Sequence, residues 1–126
     1  MKIRHKRYGT AVNQDWGNVI KIVDNEENNY SGQIINLNQN EKTATYFHSK
    51  KHKTLYVLQG SLTLEIVEPD NGEMVSYVID SEECFEIEQN VAHRLSAKDG
   101  GVTAIEISTF HHDSDVYRVL PFSGVM

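Results

Sequence analysis

The chain has 126 residues, 39% of them hydrophobic, and carries a formal net charge of −6 at pH 7. This length suits one folded domain spanning residues 1–126, and six tyrosines with four phenylalanines favour a packed core over disorder. The acidic balance excludes a general nucleic-acid binder, because such domains usually carry a basic surface.

Apolar and polar residues alternate in short runs along the chain, which is the period of a half-buried strand. Ten runs predict ten strands: Val19–Val23, Tyr30–Leu37, Thr43–Phe47, Thr54–Leu58, Ser61–Val67, Met74–Ile79, Cys84–Ile87, His93–Ser96, Val102–Ser108 and Val116–Leu120. Turn-forming residues separate these runs, and Asn71-Gly72 is a strong hairpin signal. No window shows a helical stripe, so we expect an all-β sandwich or barrel with little helix.

The cysteine content and the hydropathy pattern bear on the compartment. Cys84 is the chain's single cysteine, so no intrachain disulfide can form and a reducing compartment is expected. We interpret Cys84 as a small packed residue. No run of about 18 apolar residues predicts a membrane span. The sequence therefore predicts a cytoplasmic protein with no membrane and no nucleic-acid partner.

A histidine-rich turn separates two strand-like runs and carries His48, Lys50, Lys51, His52 and Lys53. His93 follows another strand-like run later in the chain. We expect His48 and His93 to meet inside one closed barrel. The lysines form a cationic spot on an acidic body, which favours a small anionic ligand such as a phosphorylated or carboxylated sugar. A solvated turn that only keeps the hairpin soluble is the alternative.

With this pattern of strands and histidines, the chain resembles the cupin superfamily, in particular small single-domain cupins and the cupin module of mannose-6-phosphate isomerases and related sugar isomerases. The first cupin motif has a glycine, a His-x-His pair, a glutamate and a second glycine at fixed spacing. These positions fall on Asn40, Tyr46, His48, Lys53 and Gly60. His48 and Gly60 match the motif, whereas the other three positions depart from it.

The second cupin motif has a glycine, a proline, another glycine, a histidine and an asparagine. These positions fall on Glu82, Glu88, Asn90, His93 and Ala97, of which only His93 matches. The resemblance covers about residues 16–118 and rests on register and context. It implies a double-stranded β-helix, or jelly-roll, barrel that forms a homodimer. We expect Gly60 to need a positive φ and Asn90 to tolerate one.

The resemblance implies a divalent transition metal, one of Fe, Mn, Ni, Co or Zn, with His48 and His93 as ligands. Tyr46 is a poor ligand unless it is ionised, and Lys53 brings positive charge where an anion should balance the metal. His52 points away from Lys53 in a regular strand, but it would complete a three-histidine site if the register shifted by one residue. Glu65, Glu86 and Glu88 are interpreted as solvent-facing, although one of them could enter the barrel.

The metal-free alternative is a pocket in which Lys53 and Arg94 bind an anion and Tyr46 orients the substrate. His48, His93 and Lys53 are then the candidate catalytic residues for proton transfer. The leading hypothesis is a small cupin that binds an anionic, carbohydrate-derived ligand, with chemistry like that of a sugar isomerase or epimerase and a degenerate metal site. The competing hypothesis is a non-catalytic ligand-binding or accessory cupin without metal.

Overall fold

The computed structural model describes residues 9–119, which form strands and one short 3₁₀ turn. The 3₁₀ turn is Asp113–Asp115, and it agrees with the expectation of little helix. The strands are β1 Thr10–Gln14, β2 Gly17–Asn25, β3 Tyr30–Leu37, β4 Tyr46–Phe47, β5 Lys53–Gln59, β6 Leu62–Val67, β7 Met74–Ile79, β8 Cys84–Ile87, β9 His93–Ser96, β10 Val102–Ser108 and β11 Tyr117–Arg118.

The strands form two antiparallel sheets that enclose the core. The six-stranded sheet has the order β1-β2-β3-β10-β5-β8, and the five-stranded sheet has the order β11-β4-β9-β6-β7. Buried aliphatic side chains from both sheets, among them Leu55 and Val57 of β5 and Leu62 and Leu64 of β6, pack between them. The predicted all-β jelly-roll barrel is confirmed.

Besides shifts of one or two residues at the ends of β2, β5 and β6, the strands differ from the prediction in three places. Strand β1 was not predicted, because only Val12 of its five residues is partly buried and the other four are exposed. Strand β4 is reduced to two residues, and the preceding residues Thr43 and Lys42 make only isolated contacts with β9. The last predicted strand is confined to Tyr117–Arg118, and Leu120 lies outside the described residues.

The backbone has a positive φ at all four positions where the two cupin motifs have glycine. The φ angles are 65° at Asn40, 90° at Gly60, 72° at Glu82 and 66° at Asn90. At Gly60 a Cβ atom would lie 2.4 Å from the carbonyl oxygen of Gly101, so both the dihedral angle and the space require glycine there. The expected conformations of Gly60 and Asn90 are confirmed. The alignment with the two cupin motifs also holds at Asn40 and Glu82, where another residue stands in place of the motif glycine.

Cys84 lies on β8, at the edge of the six-stranded sheet, and is exposed. The expectation of a packed cysteine was wrong. Successive side chains of a strand point to opposite faces, so the inward Phe85 and Ile87 leave Cys84 and Glu86 on the outside. In residues 9–119, no helix has the length and apolar character needed to span a bilayer.

Candidate functional site

Asp115 holds the histidine-rich turn in place. Its carboxylate accepts hydrogen bonds from the backbone N–H groups of Ser49 at 2.9 Å, Lys50 at 3.1 Å and Lys51 at 3.0 Å, and from the Ser49 hydroxyl at 2.7 Å. Burial opposes its negative charge, but these donors outweigh burial and lower the pKa of Asp115 to about 2. Its backbone carbonyl also accepts a hydrogen bond from His48 Nδ1 at 2.9 Å. The turn therefore presents His48 and Lys51 in a fixed geometry.

The four positions that correspond to the cupin metal ligands converge inside the barrel. Tyr46 of β4 is directly opposite His93 of β9, and their ring centroids are 4.9 Å apart. The Tyr46 and His48 ring centroids are 5.2 Å apart, and Lys53 Nζ donates a hydrogen bond to the Tyr46 hydroxyl at 3.2 Å. The predicted meeting of His48 and His93 thus takes place around one tyrosine ring.

Both imidazoles of this cluster are neutral at pH 7. Each Nδ1–H donates to a backbone carbonyl, that of Asp115 for His48 and that of Val91 for His93, so each Nε2 carries a lone pair. Burial, followed by repulsion from the Lys53 ammonium, lowers the pKa of His48 to about 4 and that of His93 to about 3. His93 Nε2 is buried without a hydrogen-bond partner among the described residues.

Two lysines share one buried carboxylate beside this cluster. Glu106 Oε1 lies 3.5 Å from Lys53 Nζ, and Glu106 Oε2 lies 3.8 Å from Lys51 Nζ and accepts a hydrogen bond from Gln33 Nε2 at 2.8 Å. Lys51, Lys53 and Glu106 are only 5%, 2% and 3% exposed.

Their pKa values follow from burial and from these contacts. Burial raises the pKa of Glu106, but the two ammonium groups outweigh it and hold the pKa below its ordinary value. Burial lowers the pKa of Lys53, but Tyr46 and Glu106 outweigh it and raise the pKa. For Lys51 burial prevails over the attraction of Glu106, so its pKa is lowered.

A cavity of about 310 Å³ opens onto this cluster from the inner face of the six-stranded sheet. Its charged and polar lining includes Tyr46, His48, Lys51, Lys53, Glu106 and His111. Trp16, Val19, Ile35 and Leu95 supply apolar walls. This volume is at the small end of the range for ligand pockets, which runs from about 300 to 1,000 Å³.

The structure places some of the predicted site residues in the cavity and others outside it. Tyr46, His48 and Lys53 line the cavity, and His93 contacts the Tyr46 ring while being fully buried. The grouping of Arg94 with Lys53 needs correction, because Arg94 points outward between the inward His93 and Leu95. Its Nε and Nη2 atoms donate to the Glu65 carboxylate at 3.0 and 3.1 Å, beside a second cavity of about 260 Å³.

His52 is also outside the cavity. Its Nε2 atom lies 3.1 Å from Glu86 Oε2, and both side chains are substantially exposed. The register shift that would bring His52 into the barrel does not occur, since β5 begins with Lys53 facing inward and continues with the inward Leu55 and Val57. The proposed three-histidine metal set is therefore not assembled.

Sequence reasoning missed Glu106 and Asp115, and it counted Lys51 in the cationic spot without singling it out as a buried residue of the cavity. The alternation of Val102, Ala104, Glu106 and Ser108 on β10 was a usable signal for Glu106, because the small and apolar members of that phase face the core. Nothing in the local sequence indicates that the Asp115 carboxylate binds the turn at Ser49 to Lys51, because that contact depends on tertiary structure.

The assembled donors do not fit a transition metal. No set of three or more His, Cys, Asp or Glu side chains within residues 9–119 is arranged to hold one. His48 and His93 could each offer a lone pair, but the charge that acts most strongly on both rings is the ammonium of Lys53. A cation at this position disfavours a second cation.

No family model and no curated protein matches this sequence. Among solved structures, the capsular polysaccharide assembling protein CapF from Staphylococcus aureus is similar with a TM-score of 0.77 and 14% identity, over 89% of this chain and 32% of that one. Oxalate decarboxylase from Bacillus subtilis is similar with a TM-score of 0.74 and 11% identity, over 88% and 30%. The chain spans about a third of the length of these proteins. At such identity the likeness concerns architecture, and the chain has the cupin β-barrel fold.

Proposed function

We propose that this protein binds a small anionic, carbohydrate-derived ligand in the barrel cavity. The observation that carries the proposal is the pair of buried ammonium groups, Lys51 and Lys53, that share the single carboxylate of Glu106. Charges that are buried without full compensation are costly, so a ligand carboxylate or phosphate would complete the balance.

Other carboxylates near Lys51 do not replace such a ligand. Asp115 is fully engaged by the backbone of the turn. Asp24 attracts Lys51 only at longer range and accepts a hydrogen bond from the His111 backbone. Asp113 lines the cavity but is exposed and contacts His111. The inner end of the cavity therefore keeps an excess of positive charge.

The uncharged lining suits a ligand with hydroxyl groups. Tyr46 and Gln33 offer polar atoms, and His111 Nδ1 is a buried acceptor without a partner among the described residues. Trp16 adds an aromatic surface. The resemblance to the cupin module of mannose-6-phosphate isomerases and the printed description of CapF as a capsular polysaccharide assembling protein are consistent with a carbohydrate derivative.

A sugar isomerase or epimerase activity in the same cavity is the second candidate. His48 lines the cavity as a neutral imidazole and could accept a proton from a bound substrate. A base with a pKa of about 4 is weak at pH 7, so geometry would have to supply most of the catalysis. Exchange of solvent deuterium into a bound sugar phosphate, lost in His48→Ala, would support this activity. Ligand binding without exchange supports the non-catalytic reading.

Thermal shift measurements with matched ligands test the binding proposal. Hexose phosphates and hexuronates are compared with the uncharged hexose on wild-type protein, Lys51→Gln and Lys50→Gln. Lys50 is the matched control, because it lies in the same turn and is exposed. We expect anionic sugars to raise the Tm of wild type and of Lys50→Gln, and to lose most of that effect in Lys51→Gln. Equal shifts for charged and uncharged sugars, or none, would contradict the proposal.

We also propose that two copies pair through the outer face of the six-stranded sheet. The strand registers place Ile20, Ile34, Ile105 and Tyr56 in one apolar row across four neighbouring strands. Ile107 and Leu58 beside this row are 60% and 45% exposed. A contiguous apolar face of this kind favours association with a second copy carrying the same face.

Sedimentation velocity tests the dimer with two matched variants. Ile107→Glu puts a charge beside the apolar row, whereas Val78→Glu puts one on β7 of the other sheet at a comparably exposed site, 63%. We expect only Ile107→Glu to produce a monomer. If wild type sediments as a monomer, the dimer proposal is wrong.

The exposed thiol of Cys84 is consistent with a reducing compartment, and we propose the cytoplasm.

A further inference from the structure

A second cavity, of about 260 Å³, lies on the outer face of the five-stranded sheet. Arg94 and Ser96 of β9 line it, and because they are two residues apart on one strand their side chains share that face. Residues that are opposite each other on neighbouring strands also share a face of the sheet. The register therefore places Lys42, which is paired with Ser96, and Glu65, which is paired with Arg94, around the same opening.

The Ser96 hydroxyl has no partner in the described part of the chain. The residue is only 4% exposed, and its Oγ atom is buried without a hydrogen bond to any of residues 9–119. A serine hydroxyl can donate one hydrogen bond and accept two, and leaving it unpaired in the protein interior is unfavourable. The lining of the cavity therefore contains a polar group whose hydrogen bonds are unfilled.

Two lysines lie at this cavity without a close carboxylate. Lys42 and Lys98 line it and are exposed, and neither forms an ion pair within residues 9–119. Both attract Glu65 from a distance, but that carboxylate already accepts two hydrogen bonds from Arg94, which are the main cause of its lowered pKa. Glu41 is the other carboxylate of the lining, so its cations outnumber its carboxylates by three to two: Lys42, Arg94 and Lys98 against Glu41 and Glu65.

Backbone hydrogen bonds hold the two lysines on neighbouring segments. The N–H group of Ala97 donates to the carbonyl of Glu41 at 3.0 Å, and the N–H group of Asn40 donates to the carbonyl of Ala97 at 2.6 Å. Lys42 directly follows the first of these paired segments and Lys98 directly follows the second. The two side chains therefore start from adjacent points of the backbone, on either side of the opening.

We propose that this outer cavity is a second anion-binding site, in which a carboxylate or phosphate group lies between Lys42 and Lys98 and accepts a hydrogen bond from the Ser96 hydroxyl. Such a group supplies the acceptor that the hydroxyl lacks and offsets the excess of positive charge. A hydrogen bond to a charged acceptor is also stronger than one between neutral groups. Arg94 keeps its pair with Glu65 and forms one wall. The sheet separates this site from the barrel cavity, so the proposal does not depend on the function proposed above.

NMR titration of the backbone amides tests the second site. Inorganic phosphate and glucuronate are added separately to wild type, Ser96→Ala, Lys98→Gln and Lys50→Gln, against sodium chloride at the same ionic strength. We expect the amides of residues 41–42 and 96–98 to shift along one saturable curve with at least one of the two anions. Ser96→Ala and Lys98→Gln should each weaken the affinity about tenfold, and the exposed-turn control Lys50→Gln should leave it unchanged. Because the Ser96 hydroxyl has no partner in the protein, Ser96→Ala should not lower the Tm.

Three results would overturn the inference. The first is no saturable shift of these amides with either anion. The second is a shift that Ser96→Ala leaves unchanged, which would mean that exposed lysines merely attract ions. The third is a lower Tm in Ser96→Ala, which would mean that the hydroxyl already has a partner within the protein.

Lys51→Gln separates the second site from the barrel cavity. It should abolish the response of the barrel cavity and leave the curve of the outer amides intact. Loss of the outer curve in Lys51→Gln would contradict the second site. An outer curve in wild type without any response at Lys51 would support the second site and count against the proposed function alone.

Discussion

Two cation–carboxylate sites of this barrel lie on opposite sides of the sheets and differ in their balance. On the outside, Arg94 and Glu65 pair one to one through two hydrogen bonds of 3.0 and 3.1 Å. On the inside, Lys51 and Lys53 share Glu106 at 3.8 and 3.5 Å. The outer carboxylate has one hydrogen-bonded cation, with Lys42 and Lys98 acting on it from further away, whereas the inner carboxylate has two buried ammonium groups beside it. The comparison teaches that proximity to a motif histidine does not by itself identify an anion-binding cation, since Arg94 follows His93 and is paired on the outer face, whereas the anion site proposed in the barrel cavity rests on the two buried lysines.

The largest expected effect comes from removing the shared carboxylate. Glu106→Gln keeps the side-chain shape but leaves two buried ammonium groups without their carboxylate, so we expect a loss of about 3 to 5 kcal/mol in the free energy of unfolding. Glu65→Gln removes the outer partner, which is itself buried, but Arg94 is partly exposed and can reach solvent, so the loss should be smaller, about 1 to 2 kcal/mol. Urea unfolding measures both variants. Equal losses would mean that the two sites do not differ as described.

A smaller loss in the free energy of unfolding is expected when the carboxylate that holds the histidine-rich turn is removed. Asp115→Asn weakens the hydrogen bonds to the backbone of Ser49, Lys50 and Lys51, and should destabilise the fold by about 2 kcal/mol. The exposed Asp113 is the control, and Asp113→Asn should leave the unfolding midpoint nearly unchanged. A parallel measurement of the two variants by urea unfolding would contradict the role of Asp115 if their midpoints coincide.

The acid dependence of stability follows from the same carboxylate. The folded pKa of Asp115 is about 2, below the ordinary value of 3.8, so its contribution is complete above about pH 4 and is lost as the pH falls toward 2. The expected contribution is on the order of 2 kcal/mol. Glu106 changes stability in the same direction, since its pKa is also lowered. Urea unfolding from pH 5 to pH 2 should therefore show a shallower loss in Asp115→Asn than in wild type; identical slopes would contradict this assignment.

The smallest expected change in the free energy of unfolding is at Glu82, where two substitutions separate the effect of backbone strain from that of charge. Glu82 has a φ of 72° and is exposed, so its conformation is unfavourable for a residue with a Cβ atom. Glu82→Gly should raise the free energy of unfolding by about 1 kcal/mol, whereas Glu82→Ala removes the charge but keeps the strain and should not. Thermal melts of both variants check this. A gain in Glu82→Ala equal to that in Glu82→Gly would assign the effect to charge.

The architecture was predictable because alternation and turn residues are local signals. Nine of the ten predicted runs lie wholly in the described residues, and each corresponds to an observed strand, although Thr43–Phe47 retains only its last two residues in β4. Strand β1 was not predicted, because its residues are mostly polar and exposed. The register of the motif turns also held, since Asn40, Glu82 and Asn90 keep the left-handed backbone expected of glycine.

The site was predictable only in part, because it depends on contacts between distant segments. Tyr46, His48, Lys53 and His93 could be brought together by their register in the barrel. Arg94 was assigned to the cavity, although strand alternation already puts its side chain on the other face of the sheet from that of His93. The link from Asp115 to the histidine-rich turn joins residues far apart in sequence, and no periodicity encodes it. The excess of buried positive charge became visible only once Glu106 was located beside both lysines.

The most direct test follows the side-chain ammonium groups themselves. NMR of protein labelled in its lysine side chains, titrated with a hexuronate or a hexose phosphate in the presence of a chelator, reports which lysines meet the anion. We expect the signals of Lys51 and Lys53 to shift together along one saturable curve, while the signal of the exposed Lys50 stays unchanged. If the anion moves only exposed lysines, or if Lys51 and Lys53 do not respond at saturation, the buried cationic site is not a ligand site.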